Sequence, residues 1–116
     1  MWNEPSAREL AKLPKLYANE DAGVSLPEVI IHMHFFIGGC DWYIAEYDGE
    51  NLFFGYANLG DDLNAEWGYI SLEELREIKV SVPLLKDEKH IGSIPAEVDR
   101  DLHWRPKPFR EIKTNR

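Results

Sequence analysis

Apolar and polar positions alternate along the middle of the chain, a pattern typical of β-strands rather than helices. This alternation predicts four strands, at residues 29–37, 41–47, 52–58 and 65–70. In the first strand the odd-numbered positions are expected on one face of the sheet, namely Ile31, Met33, Phe35 and Ile37. Gly38 with Gly39, and Asp48 with Gly49, are turn signals between strands. Because these connections are short, neighbouring strands are expected to run antiparallel.

Two short helices are predicted from capping patterns in which a serine is followed three residues later by a glutamate. Ser6 with Glu9 opens the first helix, and Pro14 is expected to end it after about two turns. Ser71 with Glu74 opens the clearest helix in the chain, whose buried stripe is expected to be Leu72, Leu75 and Ile78.

The last third of the chain shows a weaker pattern. Residues 80–94 are interpreted as an irregular segment with an exposed loop tip at 86–90. Pro106 and Pro108 are expected to prevent regular structure around them, because proline lacks a backbone donor. Residues 109–112 are expected to form one closing turn.

Together these elements predict an α+β fold, with an antiparallel sheet of about four or five strands and two or three short helices packed on one face. A short edge strand at 98–104 is the candidate fifth strand. The length of 116 residues and the 44% share of hydrophobic residues suit a single domain over residues 1–116. The one cysteine, Cys40, cannot form an internal disulfide, so the core alone must stabilise the fold.

Charge is distributed unevenly along the chain, which has a net charge of -8. Residues 41–78 contain ten acidic residues and one basic residue, whereas residues 99–116 contain three acidic and six basic ones. Because binding of nucleic-acid phosphates needs clustered lysine and arginine, we expect no direct contact with nucleic acid. No secretory signal or membrane-spanning apolar run is visible, so a cytoplasmic location without membrane contact is expected.

Several short motifs follow one another in a fixed order. They are WYIAEYD at 42–48, FG at 54–55, NLG at 58–60, EWGYISLEEL at 66–75 and VDRD at 98–101. With these motifs the chain resembles an uncharacterised family called domain of unknown function 2958, over most of residues 10–112. Members of that family are small proteins found largely in bacteria, often on plasmids, phages and integrated elements.

The resemblance implies no known activity, but it implies a cytoplasmic accessory protein of a mobile element. Two features depart from the family pattern. Asp99 stands where the family has a glutamate, and residues 82–95 form a longer stretch than usual.

His32 and His34 lie two residues apart on the first predicted strand, a spacing at which two metal ligands can converge. Metal sites normally need three or four ligands, and no other side chain shows ligand spacing with this pair. Phosphate-binding glycine motifs and a serine nucleophile elbow are also absent from the sequence. We therefore predict neither a metal nor a cofactor.

Glu46 is a candidate for a buried charge, because it shares a predicted strand face with Trp42 and Ile44. A buried carboxylate must be paired, and Arg100 is the expected partner, which Glu66 could join. One interpretation is a structural ion pair that ties the C-terminal segment to the sheet. The other is a small enzyme whose acid–base groups are Glu46, Glu66 or Asp101.

The acidic stretch at 41–78 also permits two interpretations. Carboxylates displayed on a rigid sheet could imitate DNA phosphates and occupy the basic groove of a restriction or defence nuclease. The simpler interpretation is a solvated acidic surface that keeps the protein in solution.

Aromatic side chains are too numerous for one face of a small sheet, so both faces are expected to carry them. If helices cover only one face, the other exposes a patch suited to a partner protein or to a second copy in a homodimer. The residues predicted to take part in binding are Trp42, Tyr43, Glu46, Asp48, Glu66, Trp67, Arg100 and Asp101. We therefore predict a non-enzymatic accessory protein acting by protein–protein contact, with a DNA-mimic inhibitor and a small enzyme as the alternatives.

Overall fold

The computed structural model describes residues 1–112 of the chain. Within these residues three short α-helices occur, at Ala7–Ala11 (α1), Ala18–Asp21 (α2) and Leu72–Glu77 (α3). The strands in the same part of the chain are Ile30–Ile31 (β1), Met33–Ile37 (β2), Cys40–Tyr47 (β3), Leu52–Leu59 (β4), Glu66–Ser71 (β5), Lys79–Lys86 (β6), Lys89–Glu97 (β7), Asp99–Arg100 (β8) and Lys107–Pro108 (β9). One-turn 3₁₀ helices lie at Leu26–Glu28, Asp62–Asn64 and Phe109–Glu111.

The main sheet is antiparallel and has five strands in the order β5-β4-β3-β2-β8. The α+β architecture predicted from the alternation is therefore confirmed. Two further pairs, β1 with β9 and β6 with β7, form separate two-stranded sheets. The edge strand expected at 98–104 is reduced to β8, which pairs with Phe35 and Phe36 of β2.

Both predicted serine caps are present. The Ser6 hydroxyl accepts from the amide of Glu9, and the Glu9 carboxylate accepts in return from the amide of Ser6. The Ser71 hydroxyl accepts from the amide of Glu74 at the start of α3. These bonds satisfy amides that a helix cannot pair internally, so they determine where each helix begins.

The larger core lies between the main sheet and the helices α1 and α3. Its central members are fully buried and come from β2, β3, β4 and the residue between β7 and β8, namely Phe35, Ile44, Phe53 and Val98. Leu72 and Leu75 of α3 close this core from one side, and Leu10 of α1 with Leu13 packs from the other. We call the covered side of the sheet the helix face.

The opposite side of the sheet carries a second, smaller core formed by Val29, Ile31, Tyr43 and Ala45. Trp104 and Phe109 from the C-terminal segment cover it, and the Trp104 indole donates to the carbonyl of Ile31 at 3.0 Å. The aromatic surface expected to be open on this side is therefore partly covered, while Tyr69 at the sheet edge remains 54% exposed. The C-terminal segment covers this side of the sheet, as the helices cover the helix face.

The strand predicted at 29–37 is interrupted at His32, whose amide donates to the carbonyl of Ile44 at 2.8 Å. Ile31 belongs to the second core while Met33 belongs to the larger one, so the predicted common face for these residues is wrong. An irregular residue between two strands resets the alternation of side chains.

Residues 79–97 are regular, contrary to the expectation of an irregular segment at 80–94. They form an antiparallel hairpin, β6 and β7, which we call the arm. All of β6 and most of β7 are exposed. The described chain extends 54 Å along its longest axis with a radius of gyration of 15.6 Å. A compact domain of this length would have a radius of gyration of about 13 Å, so the molecule is elongated.

The C-terminal segment is also more ordered than its prolines suggested. Lys107 and Pro108 pair with β1, because proline is tolerated at the edge of a sheet. The expected closing turn is present at Phe109–Glu111. Residues 113–116 of the predicted basic tail lie outside the described residues. Within residues 1–112 no helix is long and apolar enough to cross a membrane.

Candidate functional site

Glu46 is buried, as predicted, but on the other side of the sheet. The register between β3 and β4 shifts between Ile44 and Glu46, which marks a β-bulge. Trp42 and Ile44 remain in the larger core, whereas the extra residue turns Glu46 away from them. The prediction that these three side chains share a face is therefore wrong, because alternation holds only where a strand is regular.

Three nitrogen atoms hold the Glu46 carboxylate in place. Its Oε1 atom accepts from the amide of Tyr17 at 2.8 Å, and its Oε2 atom accepts from Asn19, from the amide at 3.0 Å and from Nδ2 at 2.7 Å. Tyr17 precedes α2 with a φ of 71°, in the left-handed region that a tyrosine rarely adopts. The buried carboxylate thus fixes an otherwise unfavourable turn and orients the Tyr17 side chain.

A cleft of about 370 Å³ opens beside this turn, and we call it the Glu46 cleft. Its lining comes from the segment between α1 and β1 and from β3, β4 and β5: Leu16, Tyr17, Asn19, Glu20, Val24, Leu26, Val29, Glu46, Phe54 and Tyr69. The hydroxyls of Tyr17 and Tyr69 lie 3.0 Å apart, and about half of each side chain is exposed. This hydrogen bond raises the pKa of Tyr69 above its ordinary value.

Arg100 does not pair with Glu46. Its guanidinium donates to both carboxylate oxygens of Glu9, through Nη1 at 3.0 Å and through Nη2. Hydrogen bonds from Arg100 and from the amide of Ser6 lower the pKa of Glu9 to about 2. The predicted link between the C-terminal segment and the rest of the fold exists, but it joins β8 to α1 instead of β3.

The other predicted site residues do not converge with Glu46. Trp42 and Tyr43 are buried on opposite sides of the sheet, and Trp67 packs on Phe109 with ring centroids 4.8 Å apart. Glu66 is exposed on the edge strand β5. The proposed acid–base set therefore shares no cleft.

Asp48 and Asp101 have local structural contacts. The Asp48 carboxylate accepts from the amides of Glu50, Asn51 and Leu52, and these bonds, led by that of Glu50, lower its pKa. The Asp101 carboxylate accepts from the amide of His103 at 3.0 Å. Each aspartate thereby stabilises the turn in which it lies.

His34 and Asp41 form a buried pair across β2 and β3, with Nε2 and Oδ1 2.7 Å apart. The imidazole stacks on Tyr43 with ring centroids 4.7 Å apart. His32 is a separate, half-buried residue whose pKa is lowered by burial. Among residues 1–112 no three His, Cys, Asp or Glu side chains are grouped as metal ligands.

The acidic stretch is not displayed as a row on the sheet. Three acidic residues of this stretch lie on strands. Asp41 and Glu46 are buried, and β4 carries no acidic residue, which leaves Glu66 on β5 as the one exposed acidic residue on a strand in residues 41–78. The remaining carboxylates of this stretch lie in turns, at the start of a 3₁₀ helix or on α3. The expectation of a carboxylate-covered sheet is therefore wrong.

One face of the arm carries a row of apolar side chains. Cross-strand partners lie on the same side of a hairpin, and the register places Val80 opposite Ala96, Val82 opposite Ile94 and Leu84 opposite Gly92. The side chains of Val80, Val82, Leu84 and Ile94 are 44%, 40%, 40% and 49% exposed. We call this set the apolar stripe; the opposite face of the arm carries Lys79, Ser81, Pro83, Leu85, Ser93, Pro95 and Glu97. Two further apolar side chains near the tip, Leu85 and Ile91, are 64% and 61% exposed.

The features missed from the sequence are the Glu46 cleft, the Glu9–Arg100 pair and the arm. The first two depend on contacts between distant segments and leave no local signal. The arm does leave one, since Val80, Val82 and Leu84 alternate with Lys79, Ser81 and Pro83.

Comparison with known protein families, with curated proteins and with solved structures finds no match for this chain.

Proposed function

We propose that this chain is a small, non-enzymatic accessory protein that acts by contact with a partner protein, and that the arm is its contact element. The observation that carries the proposal is the apolar stripe, a row of apolar side chains on an ordered hairpin that remain 40–49% exposed within residues 1–112. Exposed apolar surface on a projecting element is typical of interaction sites. A cytoplasmic role in a mobile element rests on the family resemblance alone.

The arm is suited to contact through its face rather than through its edges. Pro83 lies on β6 and Pro95 on β7, each opposite a serine of the other strand. Because proline has no N–H, it fits a ladder only where its nitrogen points outward, so each outer edge lacks a donor at that position. Prolines on edge strands discourage pairing with further strands. A partner is therefore expected to pack on the stripe.

The area of the stripe indicates what covers it. The eight residues of β6 span roughly 26 Å at ~3.3 Å per residue, and two strands are about 10 Å wide, so one face measures on the order of 260 Å². Two such faces packed together bury far less than the ~1,200 Å² of a stable interface. We therefore assign the stripe to a groove of a larger partner, instead of to a second copy of the same arm.

Charge near the arm indicates the chemistry of that groove. Glu73, Glu74 and Glu77 are exposed on α3, which leads directly into β6. The arm itself, residues 79–97, has three lysines and three acidic residues, so the excess charge lies at its base. A partner that receives the stripe would meet these carboxylates at the base of the arm. We therefore propose an apolar groove with a basic rim, whose binding weakens as salt rises.

A capture experiment from the native host tests this proposal. The wild-type chain, the double variant Val82→Lys with Ile94→Lys, and the double control Leu59→Lys with Leu63→Lys are immobilised in parallel. Leu59 and Leu63 are 64% and 95% exposed and lie outside the arm, so the control adds the same two charges elsewhere. The expected result is one basic protein that binds wild type and control, is released by salt, and is lost with the double variant.

Two outcomes contradict the proposal. Equal capture by the double variant would exclude the stripe as the contact surface. A concentration-dependent dimer of the wild type in sedimentation, dissolved by the same double variant, would replace the partner protein with a second copy.

The two alternative functions receive less support. A DNA mimic needs carboxylates spaced on a rigid surface, whereas Asp41 and Glu46 are buried. An acid–base enzyme needs groups that converge, whereas Glu66 is exposed on an edge strand and Asp101 accepts from a local amide.

A further inference from the structure

The Glu46 cleft combines a buried negative charge with apolar and aromatic walls, and the proposed function does not use it. No residue of the arm lines it. Glu46 is 3% exposed, and both its oxygens act as acceptors, which is the pattern of an ionised carboxylate. All three donors are neutral amide groups, and no lysine, arginine or histidine in residues 1–112 forms an ion pair with Glu46.

A buried charge without a counter-ion is costly for a protein to maintain, and it attracts an ion of the opposite sign. The amides of Tyr17 and Asn19 position the carboxylate but leave its negative charge in place. A cation that reaches the cleft would complete the pair in surroundings of low polarity, where charge-assisted hydrogen bonds are strong.

The walls indicate what kind of cation fits. Leu16, Val24, Leu26, Val29 and Phe54 provide apolar lining. The half-exposed Tyr17 and Tyr69 are also lining residues, and aromatic faces attract cations. A volume of about 370 Å³ lies in the range of small-molecule sites and exceeds what a bare metal ion needs.

We propose that the Glu46 cleft binds an organic ammonium ion with a compact apolar body. The ammonium group lies against the carboxylate of Glu46, and the body packs between Val29, Leu26 and Phe54. This chemistry occurs in free amines and in the lysine side chain of a protein segment, and the experiment distinguishes the two sources.

A titration followed by amide resonances tests the proposal on the intact chain. Phenethylammonium is compared with 2-phenylethanol, its neutral counterpart, and with phenylacetate, its anionic one. We expect the ammonium to bind at least about tenfold more tightly than the alcohol, as a charge-assisted bond predicts, and to shift the amides of Tyr17 and Asn19. Phenylacetate is expected to leave both resonances unchanged.

A pair of surface variants provides the matched control. Leu26 lines the cleft, is 47% exposed and lies outside both cores, so Leu26→Lys replaces one proposed ligand contact with a competing ammonium group without disturbing the protein core. We expect this change to weaken phenethylammonium binding at least fivefold, whereas Leu63→Lys leaves it within twofold. A Glu46→Gln variant that folds should lose the preference for ammonium over alcohol.

The source of the cation is tested with a short peptide containing one lysine between two leucines, and with its norleucine counterpart. Tighter binding of the lysine peptide than of phenethylammonium at the same amides assigns the site to a protein segment; weaker binding assigns it to free amines. The proposal is overturned if the alcohol binds as tightly as the ammonium, if Leu26→Lys has no effect, or if the shifted amides lie outside the cleft.

Discussion

The α-carbon of Gly55 on β4 lies directly against the carbonyl group of Tyr43 on β3. A β-carbon placed on Gly55 would lie 2.0 Å from that carbonyl oxygen and 3.2 Å from the α-carbon of Ile44. Both neighbours are backbone atoms of the central strand, beside the bulge between Ile44 and Glu46. The absence of a side chain at position 55 is therefore what allows the two strands to approach at the bulge.

Replacing Gly55 with alanine should destabilise the fold severely. The added methyl group overlaps a carbonyl that the sheet holds in place, so the strands must separate locally. We expect the free energy of unfolding to fall by about 3–5 kcal/mol, at the upper end of single substitutions. Urea denaturation followed by tryptophan fluorescence measures the change.

The matched control is Gly68→Ala on β5. Gly68 lies directly opposite Gly55 in the sheet, yet a β-carbon there meets no other heavy atom within 4 Å. Its unfolding free energy should stay within ~1 kcal/mol of wild type. Similar losses for both variants would show that strand propensity, not overlap with Tyr43, determines the effect.

The Glu9–Arg100 pair should make stability depend on pH in the acid range. The pKa of Glu9 is about 2 in the folded protein against an ordinary value of 4.5, so the folded state favours the ionised form. The resulting stability is present above pH 4.5 and is lost as pH falls from 4.5 towards 2. Because the Glu9 side chain is 42% exposed, solvent screening limits the contribution to about 1 kcal/mol.

Glu9→Gln tests this dependence, because glutamine keeps the helix cap and removes the charge. The variant should be less stable than wild type by about 1 kcal/mol at pH 7. This difference in unfolding free energy should become steadily smaller as the pH falls from about 5 to about 3. Glu28→Gln is the control, since Glu28 and Arg110 form a pair in which both side chains are more than half exposed. A gap for Glu9→Gln that is independent of pH would contradict the assignment.

The features that were predictable from the sequence are those determined by local chemistry. Ser6 and Ser71 begin their helices because a hydroxyl follows the same capping geometry in any fold. Four of the main strands follow from alternation within a few residues of their ends. Their antiparallel order follows because short turns permit no other connection.

The candidate site could not be predicted because it depends on a break in that regularity. One extra residue before Glu46 moves its carboxylate to the opposite side of the sheet, where Tyr17 and Asn19 meet it. Nothing local marks a bulge at this position. Arg100 likewise pairs with Glu9, 91 positions away, because the tertiary fold brings β8 beside α1.

Removing the Glu46 carboxylate should destabilise the turn that it holds. In Glu46→Ala the amides of Tyr17 and Asn19 and the side-chain amide of Asn19 lose their acceptor in a part-buried place. Each unsatisfied donor costs about 1 kcal/mol or more, so a total of about 3 kcal/mol is expected in thermal or urea unfolding.

A graded series separates this effect from a general loss of charge. Asn19→Ala removes one of the three donors and should cost about 1 kcal/mol. Glu50→Ala removes a carboxylate from an exposed turn, where none of these bonds is affected, and should change stability by less than ~0.5 kcal/mol. Equal effects of Glu46→Ala and Glu50→Ala would show that the three hydrogen bonds contribute nothing.

Substitutions at the tip of the arm should change the stability of the hairpin without affecting either core. Asp87 and Glu88 both have positive φ values, 53° and 65°, which is the geometry of a type I′ turn. Glycine adopts this conformation freely, whereas glutamate is strained in it, so Glu88→Gly should stabilise the hairpin by about 1 kcal/mol. Amide hydrogen exchange in β6 and β7 should slow by about fivefold.

Lys89→Gly, at the neighbouring position, is expected to change the exchange rate in the opposite direction. Lys89 begins β7 and has no positive φ, so glycine there only adds freedom to the unfolded strand and should speed exchange in the arm. Neither variant should move the main unfolding transition appreciably, because the residues of the arm tip are exposed and lie outside both cores. Unchanged exchange in Glu88→Gly would mean that the tip does not limit opening of the arm; slower exchange in Lys89→Gly would contradict the turn geometry itself.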